Sequence, residues 1–174
     1  KNWTSGLDKR GEPIPNPKKE PSVAGTLYQD SGTNWYVPSF DPETGLFYVN
    51  ANLNVWFLTY LTYDADKIEA EDHEGGRDVS LSATAALIAI DYQTGKVKWK
   101  LASGHPSGIL TTAGQLLFTG NSNYPVAIDP ATGKPLWHAE VNGPVNNAPM
   151  TYSADGKQYV LMAVRDTLYA WALP

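Results

Sequence analysis

The sequence predicts an all-β chain built from propeller-type blades, on three observations. The phrase A-I-D-x-x-T-G-K-x-x-W stands at Ala89–Trp99 and again at Ala127–Trp137, with seven of its eleven positions identical. Strand-like stretches flank both copies at matching offsets: Glu43–Asn50, Gly114–Gly120 and Asp155–Val164. The composition carries 15 Gly and 13 Pro in 174 residues, and Tyr (10) and Trp (6) outnumber Phe (4). Such a balance favours turns and half-buried strands over long helices. Units of short strands at roughly forty-residue spacing are the mark of blades.

Each element follows from local chemistry. Residues 1–32 lack periodicity and read as an irregular connecting arm. The first blade spans about 33–101, the second 108–141 and the third 144–174, and the third lacks its own fourth strand. Within the repeat phrase, Leu87–Ile90 and Pro125–Ile128 are short apolar strands. Asp91 and Asp129 end them and accept hydrogen bonds from the turn backbone. Gly95 and Gly133 supply positive φ, and the return strands end on Trp99 and Trp137. The first blade carries a polar insert, 63–80, crowded with Asp64, Asp66, Glu69, Glu71, Asp72, His73, Glu74 and Asp78. Dense carboxylates can bind Ca²⁺, but the spacing is not that of an EF-hand loop, so a solvated acidic face is the simpler reading. Propellers typically have about four to eight blades, so three imply a larger ring with blades elsewhere.

Composition also excludes classes. The formal net charge is −5, which argues against a general binder of phosphate backbones. No apolar run reaches the roughly 18 residues of a spanning helix. No signal peptide is visible. With no cysteine, disulfides, thiolate metal sites, a cysteine nucleophile and covalent haem attachment are excluded.

The repeat phrase resembles the tryptophan-docking motif of quinoprotein dehydrogenases, eight-bladed propellers that carry pyrroloquinoline quinone (PQQ) on the ring axis. Three further stretches resemble the alcohol dehydrogenases of that family. They are Gly32–Val49 with its Asn34-Trp35 pair and T-G-L-F-Y-V strand, Leu110–Gly120 as L-x-T-A-G-x-L, and Pro149–Tyr152 with Gly156–Val160 as P-M-T-Y…G-K-Q-Y-V. Leu7-Asp8 with Gly11–Ile14 resembles the segment that precedes these blades. The resemblance implies the C-terminal portion of a periplasmic PQQ-dependent dehydrogenase that oxidises small alcohols. A calcium or lanthanide ion polarises the quinone and an aspartate acts as base. Those metal ligands and that base are expected in earlier blades, outside this chain, so the remaining blades are its partners. Alone, the chain would be inactive and prone to self-association through uncovered blade faces. The alternative is a non-catalytic scaffold of the same superfamily that binds protein.

The resemblance also nominates residues. The motif's Ala and Gly positions, Ala89, Gly95, Ala127 and Gly133, receive the next Trp, and Trp99 and Trp137 are docking residues. Asn34 corresponds to an Asn that contacts PQQ. Its carboxamide can donate to a quinone or carboxylate oxygen, although a short polar side chain here also caps a turn. Trp35 completes that cofactor-side pair; as the next residue of a strand it faces away from Asn34 and packs between blades. Pro106-Ser107 stand where many members carry Trp-Gly, and Ser107 and Gly108 can reach the cofactor through backbone N–H groups. His105 reads as a loop residue rather than an acid or base. Asn146 and Asn147 either face the cofactor cavity or serve a turn.

Overall fold

The computed structural model describes residues 4–11, 13–15, 23–61 and 76–172. Among them no helix occurs, and the strands in chain order are β1 (Thr4–Leu7), β2 (Pro13–Pro15), β3 (Thr26–Gly32), β4 (Ser39–Asp41), β5 (Leu46–Leu61), β6 (Gly76–Ser82), β7 (Ala85–Asp91), β8 (Val97–Ser103), β9 (Ile109–Thr112), β10 (Leu116–Asn121), β11 (Tyr124–Ile128), β12 (Pro135–His138), β13 (Met150–Ala154), β14 (Lys157–Val164) and β15 (Thr167–Ala172). The chain forms two compact units: Lys1–Ser31 with Leu53–Ala83, and Gly32–Asn52 with Thr84–Pro174.

The second unit carries three antiparallel strand sets, termed blades below, the first of them part of a six-stranded sheet that also includes β3 and β6. The first runs β4-β5-β7-β8, the second β9-β10-β11-β12, and the third has three strands, β13-β14-β15. Alternation along each central strand sends neighbours to opposite faces. Leu117 and Ile128 join Leu46, Tyr48, Leu87, Ala89 and Ile109 in a core between the first and second blades. Phe118 and Ala127, one residue before or after them, join Val141, Val145, Met162 and Val164 between the second and third.

The first unit departs from the sequence reading. Thr26–Gly32, assigned to an irregular arm, is a strand, as are Thr4–Leu7 and Pro13–Pro15. The insert is also shorter than composition suggests, because Gly76–Ser80 pairs with Phe57–Leu61. Thr59 Oγ1 donates to Asp78 Oδ1 at 2.6 Å across that pair. The other acidic residues of the insert, Asp64 through Glu74, lie outside the described residues.

The repeat phrase makes the seam between the first two blades. Ala89 pairs with Trp99 across β7–β8, as Ala127 does with Trp137 across β11–β12. The Trp99 indole donates to the Pro130 carbonyl at 2.9 Å. Its ring lies where a Cβ on Gly133 would be, 2.8 Å from Cδ2. The buried Tyr48 hydroxyl donates to the same carbonyl at 3.0 Å, with its ring 5.7 Å from that of Trp99. Burial raises the Tyr48 pKa, the Asp41 and Asp129 charges add to that, and the Thr44 hydrogen bond opposes it. Gly133 therefore receives the Trp of the preceding repeat, not the following one. Trp137 meets no third copy of the phrase; it sits edge-on to Trp171 at 5.6 Å and stays 37% exposed.

The Asp-x-x-Thr-Gly turn occurs three times, not twice. Asp91 Oδ1 accepts the Gln93 and Thr94 N–H groups, and Asp129 accepts the Ala131 N–H and the Thr132 hydroxyl. Asp41, at the β4–β5 turn, likewise accepts the Glu43 N–H and the Thr44 hydroxyl. The backbone N–H of Thr94 lowers the Asp91 pKa most, and the Thr132 hydroxyl lowers that of Asp129 most. A carboxyl depressed by folding stabilises the fold above its unfolded pKa, and that contribution is lost as pH falls through the depressed folded value. The thermal midpoint should accordingly hold from pH ~7 to ~5 and decline below the ordinary value of 3.8. In melts across this range, the double variant Asp91→Asn/Asp129→Asn should show a shallower acid decline; an unchanged decline would place it in other carboxyls.

Candidate functional site

Because the blades are antiparallel, the turns from second to third strand share one end with the connections that lead into each first strand. In the second unit this rim comprises residues 33–38, 104–108, 121–124, 139–149 and 164–167. Hydrogen bonds lace it together. The Ile109 N–H reaches the Val37 carbonyl at 3.0 Å, Val145 N–H the Ser122 carbonyl at 2.9 Å, and Val141 N–H the Asn123 carbonyl at 3.0 Å. Gly104 N–H donates to Asn121 Oδ1 at 2.8 Å.

Beneath the rim lies a polar pair that sequence reading passed over. Asn50 and Thr119 are each 3% exposed. Asn50 Nδ2 donates to the Ser107 carbonyl at 2.6 Å and to Thr119 Oγ1 at 3.2 Å, and Thr119 Oγ1 donates to the Gly108 carbonyl at 2.9 Å. Buried polar groups of this kind need partners, and together these fix the backbone of 107–108. The available signal was an Asn inside the apolar run of β5. An adjoining cavity of about 90 Å³, lined by Asn50, Leu87, Leu101, Thr119 and Ile128, is largely apolar and too small for a multi-ring cofactor.

The nominated residues divide. Asn34 is exposed, and its Oδ1 accepts the Trp35 N–H at 2.9 Å. The turn-capping role is thus met by the oxygen, while Nδ2 donates to no described residue. Trp35 is 62% exposed and packs on Tyr36 at 4.5 Å rather than between two described blades. Ser107 faces into the chain. It has no exposed surface; its hydroxyl donates to the Asn147 carbonyl at 2.9 Å and its own carbonyl takes Asn50. Gly108 is buried too, against Ala148. Both residues clamp the 144–149 connection to the second blade. His105 is exposed, as a loop residue should be. Asn147 serves the turn through its carbonyl, whereas Asn146 Oδ1 is buried with no described hydrogen-bond partner. Among the described residues, no cluster of three His, Asp or Glu side chains is placed to hold a metal ion.

Residues 100–160 match the family model for the PQQ-type glucose/ethanol/alcohol dehydrogenase β-propeller domain. The chain is 34% identical to a 1-butanol dehydrogenase (quinone) of Thauera butanivorans, over 91% of this chain and 28% of that protein. A quinohemoprotein alcohol dehydrogenase from Pseudomonas putida HK5 superposes with a TM-score of 0.72 at 27% identity, covering 94% of this chain and 27% of that one. A europium-containing methanol dehydrogenase gives 0.63 at 28% identity, covering 92% and 31%. The chain thus spans less than a third of the length of each of these proteins.

Proposed function

We propose that this chain supplies the C-terminal blades of a PQQ-dependent alcohol dehydrogenase, a longer periplasmic protein whose other blades complete an eight-bladed ring. One observation carries the reading: over more than nine-tenths of the chain, sequence and fold both resemble quinone-dependent alcohol dehydrogenases. PQQ, when bound, supplies the two-electron acceptor for oxidation of a small alcohol. A calcium or lanthanide ion would polarise it, held by ligands outside these residues. The europium-containing neighbour supports a lanthanide as one option.

The residues present fit one edge of such a cofactor. Asn34 keeps an uncommitted Nδ2 on an exposed carboxamide, suited to a quinone or carboxylate oxygen. Asn146 holds a buried acceptor with no described partner. Ser107 and Gly108 act from behind, holding the connection that bears Asn146. The open faces of the outer blades, with Met150 (56%) and Leu168 (68%) exposed on the third, suit cover by neighbouring blades and would promote self-association of the isolated chain.

The test is calorimetric titration of PQQ, with Ca²⁺ or a lanthanide, into the full-length protein and into this chain alone, beside dye-linked alcohol oxidation. The full-length protein should bind and turn over, and the isolated chain should do neither. Asn34→Ala in the full-length protein should weaken PQQ binding about ten-fold, the worth of one hydrogen bond to a charged group. No binding by the full-length protein would leave the scaffold reading, with a protein as its partner.

A further inference from the structure

The cavity of about 90 Å³ lies in the seam between the first and second blades. Its lining comes from β5, β7 and β8 on one side and from β10, β11 and β12 on the other, so both walls belong to described blades. Leu87, Leu101, Val126 and Ile128 make it apolar, and no charged residue lines it. One buried side chain offers it a free polar atom. Asn50, 3% exposed, turns its Nδ2 to the Ser107 carbonyl and to Thr119 Oγ1. Its Oδ1 accepts no hydrogen bond from the described residues, so that oxygen is what Asn50 presents to the cavity. Thr119 Oγ1, the other deeply buried polar group, is committed to Asn50 and to the Gly108 carbonyl. Ser103 and Asn121, half-buried, are tied to the backbone of His105 and Gly104.

An amide oxygen buried this deeply needs a donor. The volume equals that of about three water molecules. Interior water is held by about three hydrogen bonds each, whereas this cavity offers one uncommitted acceptor beside aliphatic carbon. A molecule with one hydroxyl on a short hydrocarbon body meets both demands. Its O–H donates to Asn50 Oδ1, and its carbons replace poorly held water against the leucine, valine and isoleucine walls. The uncharged lining favours a neutral molecule over an ion.

We propose that this seam cavity is a binding site for a neutral molecule of about three carbons that carries one hydrogen-bond donor, a short-chain alcohol being the simplest case. The site shares no lining residue with the edge formed by Asn34 and Asn146, and its occupancy needs no quinone.

The experiment uses the full-length protein without an electron acceptor, so that no alcohol is consumed. The probes are 2-propanol and acetone, which share one heavy-atom skeleton; 2-propanol donates a hydrogen bond and acetone only accepts. Saturation-transfer NMR titrations give the affinities, and soaked crystals give the positions. 2-Propanol should bind with a millimolar Kd and place its oxygen on Asn50 Oδ1. Acetone should bind about ten-fold more weakly, the worth of one hydrogen bond. Leu101→Phe fills the cavity and leaves the bonds of Asn50 in place, so it should abolish this binding. Val126→Ile, larger by a single methylene, gives the same comparison with a weaker loss should Leu101→Phe fail to fold. The proposal is overturned if the soaked crystal shows only water or nothing in the cavity, if acetone binds there as tightly as 2-propanol, or if 2-propanol binding survives unchanged in the folded filling variant.

Discussion

Trp99→Ala should destabilise the protein by about 3–5 kcal/mol, the range for truncating a large aromatic in a core. The indole fills the seam between the first and second blades, over Gly133 and against the buried Tyr48. Trp99→Phe should cost about 1 kcal/mol for the lost N–H donor, because Tyr48 still satisfies the Pro130 carbonyl. The equivalent Trp137, 37% exposed and without a receiving glycine, should cost less on truncation. The two glycines of the repeat separate backbone strain from docking. Gly95 and Gly133 both have left-handed φ, 67° and 75°. A Cβ on Gly95 meets nothing within 4 Å, whereas one on Gly133 meets the Trp99 ring at 2.8 Å. Gly95→Ala should cost about 1 kcal/mol, from left-handed strain alone. Gly133→Ala should cost about 3 kcal/mol, because the indole must also move. Urea unfolding of the five variants in the full-length protein tests this, and equal losses for the two glycine variants would remove the docking account.

What the sequence makes legible follows from which interactions are local. Asp91 with Gly95 and Asp129 with Gly133 are readable because the turn's donors and acceptors lie within four residues. The third turn, Asp41–Gly45, has the same letters but joins a first strand to a second, so a search for the whole phrase passes over it. The order of docking, Trp99 onto Gly133, depends on how blades stack, which a repeat does not encode. β3 and β6 are polar strands, TLYQDSG and GRDVSLS. They exist because the sixteen-residue β5 offers them an edge, and non-local pairing of this kind leaves little trace in hydrophobic period.

The rim was harder to read for a related reason. Asn34 and Ser107 look alike in sequence: small polar residues in turns, inside matching motifs. Burial separates them. Ser107 spends its hydroxyl and its carbonyl within the chain, on Asn147 and Asn50. Asn34 spends only its oxygen, on the adjacent N–H. Ser107 therefore positions backbone, whereas the Asn34 Nδ2 donates to no described residue.

Gly108→Ala carries the second large expected effect, because here the obstacle is backbone. A Cβ on Gly108 would stand 2.5 Å from both Cα and Cβ of Ala148 and 2.9 Å from its N. A side chain can rotate away from such a contact, but a connection tied by Ser107 to Asn147 and by Val145 to Ser122 cannot. Overpacking of this kind costs about 3 kcal/mol. The added Ala148→Gly change should restore only part of the loss, since it removes one of the three clashing atoms. The variant also separates the rim from the rest of the ring. If residues 144–149 contribute Asn146 to the cofactor edge, Gly108→Ala at a temperature where the protein remains folded should weaken PQQ binding. Gly156→Ala, at a left-handed turn with open space around it, should lose about 1 kcal/mol of stability and leave PQQ affinity unchanged. Equal PQQ affinity in both variants would confine Ser107 and Gly108 to the fold.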